Sequence, residues 1–170
     1  LKGKRVSVGA PKSGTELQAR AILKAAGMSY NDLSKTEYLP FNQSVELIKN
    51  RQLDATIQSA GLGVASIKDL ANSVDIVIVE IPASIIKKLG DPYVQATIPA
   101  GTYKGVDKNA QTAGIVNFLI TSQKVSTNTV YQMTKNLFEN LPALVATHKA
   151  ANNIDIKKAL AGMPVPLHPG

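Results

Sequence analysis

The 170-residue sequence has no cysteine and no tryptophan. Without thiols it can form no disulfide, no thiolate zinc site and no thiol nucleophile. Such a composition suits an extracytoplasmic protein and a cytosolic one equally. Aromatic residues make up only 5%, so alanine and the branched aliphatics must fill the core, as they do where helices lie on a sheet. No apolar run reaches the ~18 residues of a membrane span. The longest, VDIVIVEIP from Val74 to Pro82, is broken by charge and reads as a buried strand. The two histidines, His148 and His168, have no partner at metal-ligand spacing, so a zinc site is not expected. His148 reads as a helix C-terminal residue and His168 as part of an extended tail. There is no internal repeat and no G-x-S-x-G elbow. Asp54, Asp75 and Glu80 fall in or beside strands with nothing to mark an acid–base pair. Nothing here asks for catalysis, and no cofactor is expected.

What is present points to a packed α/β chain. Hydrophobic residues are 44% and mean hydropathy is near zero, enough for a core and unlike a disordered segment. The net charge is +7, but the basic residues are scattered singly or in pairs (Lys4-Arg5, Lys87-Lys88, Lys157-Lys158). They are not interleaved with aromatics as a base-stacking surface would require. This reads as a solvated surface, with no nucleic acid as partner.

Along the first hundred residues strands and helices alternate. KRVSVG (residues 4–9) alternates with Val6 and Val8 on one face. From Ser13 the pattern turns helical, with Leu17, Ala21, Ile22 and Ala25 as the apolar positions and Gly27 as the closing glycine. TEYLPF (36–41) reads as a strand, then a helix with Val45, Leu47 and Ile48 inward, capped by Asn42 or Ser44. LDATIQSAG (53–61) reads as a third strand, LGVASIKDLAN as a helix, and VDIVIVEI as a fourth strand covered on both faces. PASIIKKLG follows as a helix and YVQATIPAGTY (93–103) as a fifth strand with a turn. The alternation predicts a lobe with a mostly parallel sheet. After Gly105 come one strand within QTAGIVNFLITS and a helix from Ser126 with Val130, Met133, Leu137 and Leu141 along a stripe, broken at Pro142. A short helix at IDIKKALAG and an extended tail, MPVPLHPG, complete the chain.

Residues 9–15, GAPKSGT, nearly spell the nucleotide phosphate loop G-x-x-x-x-G-K-[ST]. Thr15, however, stands in the lysine's place and Glu16 in the hydroxyl's, and a glutamate there repels a triphosphate. ATP and GTP are therefore not expected. Two readings remain. In one, Ser13 and Glu16 form a capping box, each side chain taking the other's backbone N–H, and the loop is only a helix start. In the other, the unpaired N–H groups of that start, opened by Gly14 and assisted by the Thr15 hydroxyl and the Lys12 cation, hold a carboxylate. The site would lie past the carboxyl end of a strand, where open α/β sheets place ligands. A second loop, IQSAGLG (57–63), offers Gln58 and Ser59 as hydrogen-bonding groups and room at Ala60 and Gly61. It is either a small-residue connection or the other wall of a shared cleft. Tyr103 either covers that cleft or belongs to a turn between lobes.

Taken in order, LKGKRVSVGAPKSGTE, LDATIQSAG, IPAGTYKGVD and GMPVPLHPG resemble the TAXI family of TRAP-transporter solute receptors, extracytoplasmic binding proteins of the periplasmic-binding-protein type II fold. The resemblance implies capture of a small carboxylate or amino acid, glutamate-like, in an inter-lobe cleft, and delivery to TRAP membrane permease subunits. The implied location is periplasmic. Ser13, Gly14 and Thr15 match the part that grips a carboxylate. The loop holding Gln58 and Ser59 matches a second cleft segment, though those two residues depart from the family's usual ones. The resemblance also implies that residues 1–105 form the second lobe and residues 106–170 return to the first, whose founding strands and signal peptide precede the LKGKRV segment in the family. The alternative use of such a fold is a small-molecule enzyme, which would need a catalytic His or acid–base pair in the cleft.

On this reading the apolar faces of residues 112–145 lack their cover. The chain by itself is expected to self-associate, to exchange elements between copies, or to pair with the complementary portion. Light scattering checks this, and a monodisperse monomer mass is the contrary result.

Overall fold

A computed structural model of the chain describes residues 1–147, 149–161, 163 and 165–170; the helix-terminal expectation for His148 lies outside them. Three short strands, β1 (Arg5–Ser7), β2 (Lys35–Glu37) and β3 (Ala55–Thr56), form a parallel sheet in the order β2-β1-β3. Val6 lies opposite Thr36 and Ala55, and Ser7 opposite Glu37 and Thr56. Between them run α1 (Gly14–Ala25) and α2 (Phe41–Lys49). After β3 come α3 (Ala65–Ser73), α4 (Ala83–Leu89), and an antiparallel pair, β4 (Tyr93–Ile98) with β5 (Ala110–Ile115). Residues Leu1–Ile115 make one compact unit and Val116–Gly170 another.

The sheet's two faces differ in chemistry. Val6 and Val8 pack with Ala19 and Leu23 of α1 and with Leu33. Ser7 points to the opposite face by alternation, which it shares with its register partner Thr56. There Ser44 of α2, fully buried, meets the Thr56 hydroxyl at 2.9 Å and donates to the Phe41 carbonyl at 2.8 Å. The Ser7 hydroxyl is buried with no partner among the described residues. Beyond the ladder, β1 and β3 are tied by a fork: Arg5 donates through Nε and Nη2 to the two Asp54 oxygens, at 3.1 and 2.7 Å, and through its backbone N–H at 2.8 Å. These bonds hold the Asp54 carboxyl well below the usual carboxylate range. Arg5 Nη2 also donates to the Arg51 carbonyl at 2.9 Å. Arg51 closes α2 in the left-handed region at φ 58°, with Gln52 N–H returning to Leu47 O and Arg51 N–H to Ile48 O, the bonding pattern of a Schellman turn. Gly27 closes α1 in the same way at φ 73°, with Met28 N–H on Leu23 O.

Several local expectations are corrected. The buried stripe of α1 is Thr15, Glu16, Ala19 and Leu23, while Leu17 is 61% exposed. Two polar members hid that stripe from the hydrophobic pattern. Helix α2 begins at Phe41 behind Pro40, with no side-chain cap from Asn42 or Ser44. The strands at 36–41 and 53–61 shorten to β2 and β3. The run VDIVIVEI is not a strand: among the described residues only its last two members meet a neighbouring strand, Ile81 N–H on Gln111 O at 3.0 Å and the Glu80 carboxylate accepting from Gln111 N–H at 3.1 Å. It rests on one face, where Ile76 and Ile78 pack against Ala71, Tyr103 and Val106, and Val77 is 86% exposed. The sheet containing β4 and β5 is antiparallel and separate.

In the second unit α5 (Thr127–Glu139) starts at Ser126, whose Oγ accepts from Thr129 N–H at 3.1 Å. The helix ends at Asn140. Then α6 (Leu141–Thr147) carries Pro142 in its first turn, where a missing N–H costs nothing. The expected helix at IDIKKALAG is a single 3-10 turn, Ile156–Lys158. His168 lies 3.1 Å from the Val125 carbonyl through Nε2, and its Nδ1 accepts from Gly170 N–H.

Gly9 has φ 96°, and a Cβ there would sit 2.7 Å from Thr15 Cγ2. Gly9→Ala is expected to destabilise unit 1 by about 2–4 kcal/mol through backbone strain and overlap, measured by urea unfolding. Adding Thr15→Ser removes the clashing methyl and recovers part of the loss.

Candidate functional site

Because β1, β2 and β3 run parallel, their carboxyl ends share one edge. The loops leaving them lead directly into α1, α2 and α3, so three helix starts gather at that edge. The first loop leaves β1 at Val8, whose N–H still bonds to Glu37 O at 2.9 Å. Ala10 to Ser13 then form a turn closed by Ser13 N–H on Ala10 O at 3.1 Å. Pro11 takes its second position and Lys12, at φ 59°, its third. A left-handed lysine is unusual and strained. The turn presents Lys12 to solvent, with no ion-pair partner among the described residues.

Only half of the expected capping box forms here. Ser13 Oγ accepts from Glu16 N–H at 3.2 Å, but the Glu16 carboxylate does not return to Ser13. Glu16 is 4% exposed, and a buried carboxylate needs a cation and donors. Arg20, one turn on, supplies Nη2 at 2.6 Å and Nε at 3.2 Å, and the Tyr30 hydroxyl donates at 2.9 Å. The Arg20 guanidinium lies 5.7 Å from the Tyr30 ring centre, a cation–π distance. Arg20's hydrogen bonds hold the Glu16 carboxyl below its ordinary value, while burial, then the bond to Glu16, pushes the Tyr30 hydroxyl up to about 12. The amides of Gly14 and Thr15 are left without partners among the described residues. A Cβ at Gly14 would meet nothing within 4 Å. Thr15 itself is 8% exposed, its methyl lying over Gly9.

The loop after β3 starts where Ile57 N–H takes Ser7 O at 2.8 Å. Gln58 turns inward: its Oε1 accepts from Ser66 Oγ at 2.7 Å, and its Nε2 is buried without a partner among the described residues. From Gln58 to Leu62 no backbone N–H has a partner among the described residues. The next amide, of Gly63, donates to the Tyr103 hydroxyl at 3.2 Å. Tyr103 is 6% exposed, in a cluster with Ala71 and Val106. Ser59 is half-buried; Ala60 and Gly61 are exposed. The structure thus brings Gln58, Ser59, Ala60, Gly61 and Tyr103 together, and Lys12, Ser13, Gly14 and Thr15 together. The β1–β3 pairing sets the two groups along one edge, with no hydrogen bond between them among the described residues.

Sequence reasoning missed the Glu16–Arg20–Tyr30 cluster and the partner residues Gly63 and Ser66. The four-residue spacing of Glu16 and Arg20 was a readable signal; nothing marked Tyr30 or Ser66. Two concavities lie elsewhere. One, about 400 Å3, is lined by Arg20, Leu23, Lys24, Met28 and Tyr30 among others. The other, about 340 Å3, lies between α2 and α3. Its lining includes Glu46 and Asp69, which Lys49 bridges at 3.0 and 2.5 Å. Carboxylates on its rim make it the wrong chemistry for an anion, so the amide-rich sheet edge is the better candidate. Among the described residues no group of three or more His, Cys, Asp or Glu could hold a metal ion, and no helix is long and apolar enough to cross a membrane.

A small parallel sheet flanked by helices, with unpaired amides along its carboxyl edge, is compatible with a lobe of a binding protein. The chain belongs to the NMT1-like family, whose model matches residues 1–170. This is a periplasmic-binding-protein-like family, and a solute-binding role goes with it at that coarse level.

The Glu16 and Asp54 carboxyls both lie below their ordinary values of 4.5 and 3.8 in the folded chain. Their contribution to stability is therefore complete above those values and is lost as the pH falls below them toward the folded-state values. The melting temperature is expected to drop on acidification below about pH 4.5. Glu16→Gln should lower stability at pH 7 and flatten that dependence, as read by thermal melts across pH.

Proposed function

We propose that the chain is the solute-gripping part of an extracytoplasmic, periplasmic receptor of the TAXI type that serves a TRAP membrane permease. In this reading its solute is a small carboxylate or amino acid of the glutamate kind. The first unit, Leu1–Ile115, acts as one lobe, and the second, Val116–Gly170, belongs to the other. The observation that supports this most is the start of α1. Gly14 and Thr15 offer two unpaired N–H groups at the positive end of a twelve-residue helix. The space beside Gly14 is open, and Lys12 supplies a nearby cation. Ser13 and Thr15 add hydroxyls of the kind that orient a carboxylate, and the Ser59–Gly61 loop supplies the facing wall.

The negative charge that this sequence brings to the loop is neutralised before it matters. Glu16 is paired inward with Arg20 and Tyr30. An anion at the Gly14 and Thr15 amides therefore meets a helix dipole and Lys12, with the nearest carboxylate compensated. A single carboxylate fits two amides and one cation. A triphosphate would need the lysine that Thr15 replaces.

Gly14→Val tests the site, because the Cβ it adds enters open space. Calorimetric titration with L-glutamate is expected to show binding weakened about tenfold or more, roughly 1.4 kcal/mol, with an unchanged melting temperature. Equal affinity in the variant would remove Gly14 and its neighbours from the site.

A further inference from the structure

We propose that Gln58 and Tyr103 do not touch the solute but fasten the two ends of the loop that does. The proposal deepens the receptor reading and rests on it. Five successive amides, Gln58 to Leu62, have no partner among the described residues. A loop with so little internal bonding loses order readily, and unordered amides make a poor binding surface because a ligand must then freeze them. This loop has one side-chain tie at each end. At the entrance, Gln58 Oε1 takes the Ser66 hydroxyl at 2.7 Å, which links the loop to the first turn of α3. At the exit, Gly63 N–H takes the Tyr103 hydroxyl at 3.2 Å.

Both anchors are themselves fixed. Ser66 is 7% exposed and Tyr103 6%, and the Tyr103 ring sits among Ala71, Val106 and the half-buried isoleucines 67, 76, 78 and 98. Neither fastener is arranged as a ligand contact. The Gln58 amide nitrogen is buried, out of reach of a solute, and Tyr103 is 6% exposed with its hydroxyl oxygen turned to accept from Gly63 N–H. A buried amide donor without a partner is costly, and the tie through Oε1 accounts for keeping glutamine there. Between the ties only Ser59 to Leu62 remain, which makes the unfastened span four residues long.

The experiment uses the whole chain and two conservative changes: Tyr103→Phe, which keeps the ring and removes the acceptor, and Ser66→Ala, with Ser66→Thr as rescue. Nitrogen-15 relaxation reads the order of residues 59–62, and calorimetry reads L-glutamate binding. In the unchanged protein the loop is expected in the rigid range, near 0.85; in Tyr103→Phe and Ser66→Ala it is expected to fall toward about 0.6, and Ser66→Thr should restore it. Binding should weaken about fivefold or more in step with that loss, without a matching fall in melting temperature. Unchanged order in both variants overturns the fastening. Lost order with unchanged affinity overturns the positioning role. Failure of the unchanged protein to bind L-glutamate counts against the receptor reading alone, since the relaxation data still decide whether the ties hold the loop.

Discussion

The site depends on the parallel pairing of β1 with both β2 and β3. Parallel strands put their carboxyl ends on one side, so one register decision aligns three loops and three helix starts. That pairing is short, only three residues on one side of β1 and two on the other. The Arg5–Asp54 fork, anchored also on the Arg51 carbonyl, extends it back past the amino end of β3. The left-handed turn at Arg51 places that carbonyl where Arg5 reaches it. A surface ion pair of this kind adds little stability alone. Its geometric contribution is larger, because a bidentate fork permits one alignment of Arg5 against Asp54 and so one register for β1 against β3.

The second constraint is how polar groups are satisfied once the sheet is covered on both faces. The α1 face takes Val6 and Val8; the α2 face takes Ser7 and Thr56. The Thr56 hydroxyl on the second face is met by Ser44, and the inward turn of Gln58 meets Ser66, so this polar side is tied to the first turns of α2 and α3. Buried carboxylates follow the same rule. Glu16 is drawn to Arg20 and Tyr30 because an uncompensated buried charge is unaffordable, and that withdraws it from its neighbouring amides. The unpaired N–H groups of α1 are what remains after these internal demands are met.

Much of this architecture was legible in the sequence. The alternation of Val6 and Val8, the helix start at Ser13, the glycine at 27 and the break near Pro142 all follow from local rules, because backbone conformation there is set by neighbours in the chain. Features set by distant residues were not legible. VDIVIVEI has the composition of a doubly covered strand, yet a strand needs a partner, and its composition does not name one. The inward stripe of α1 includes Glu16, whose burial depends on Tyr30, fourteen residues away. At the candidate site the two loops were visible as small, polar stretches after strands. The inward turn of Gln58 and the reach of Tyr103 to Gly63 were not, since both depend on residues distant in sequence, Ser66 of α3 and the turn between β4 and β5.

The resemblance of GAPKSGT to a phosphate loop can now be followed atom by atom. Gly9 is needed, but its vacant Cβ space is filled by the Thr15 methyl rather than left open for a phosphate. The residue in the lysine's place is therefore a packing residue that closes the loop on itself. The residue in the hydroxyl's place, Glu16, faces inward. What stays exposed is the second glycine, Gly14, with two amides beside it and Lys12 one turn of chain earlier. The loop retains unpaired amides among the described residues and has Thr15, not a lysine, at the position where a nucleotide phosphate loop carries its cation.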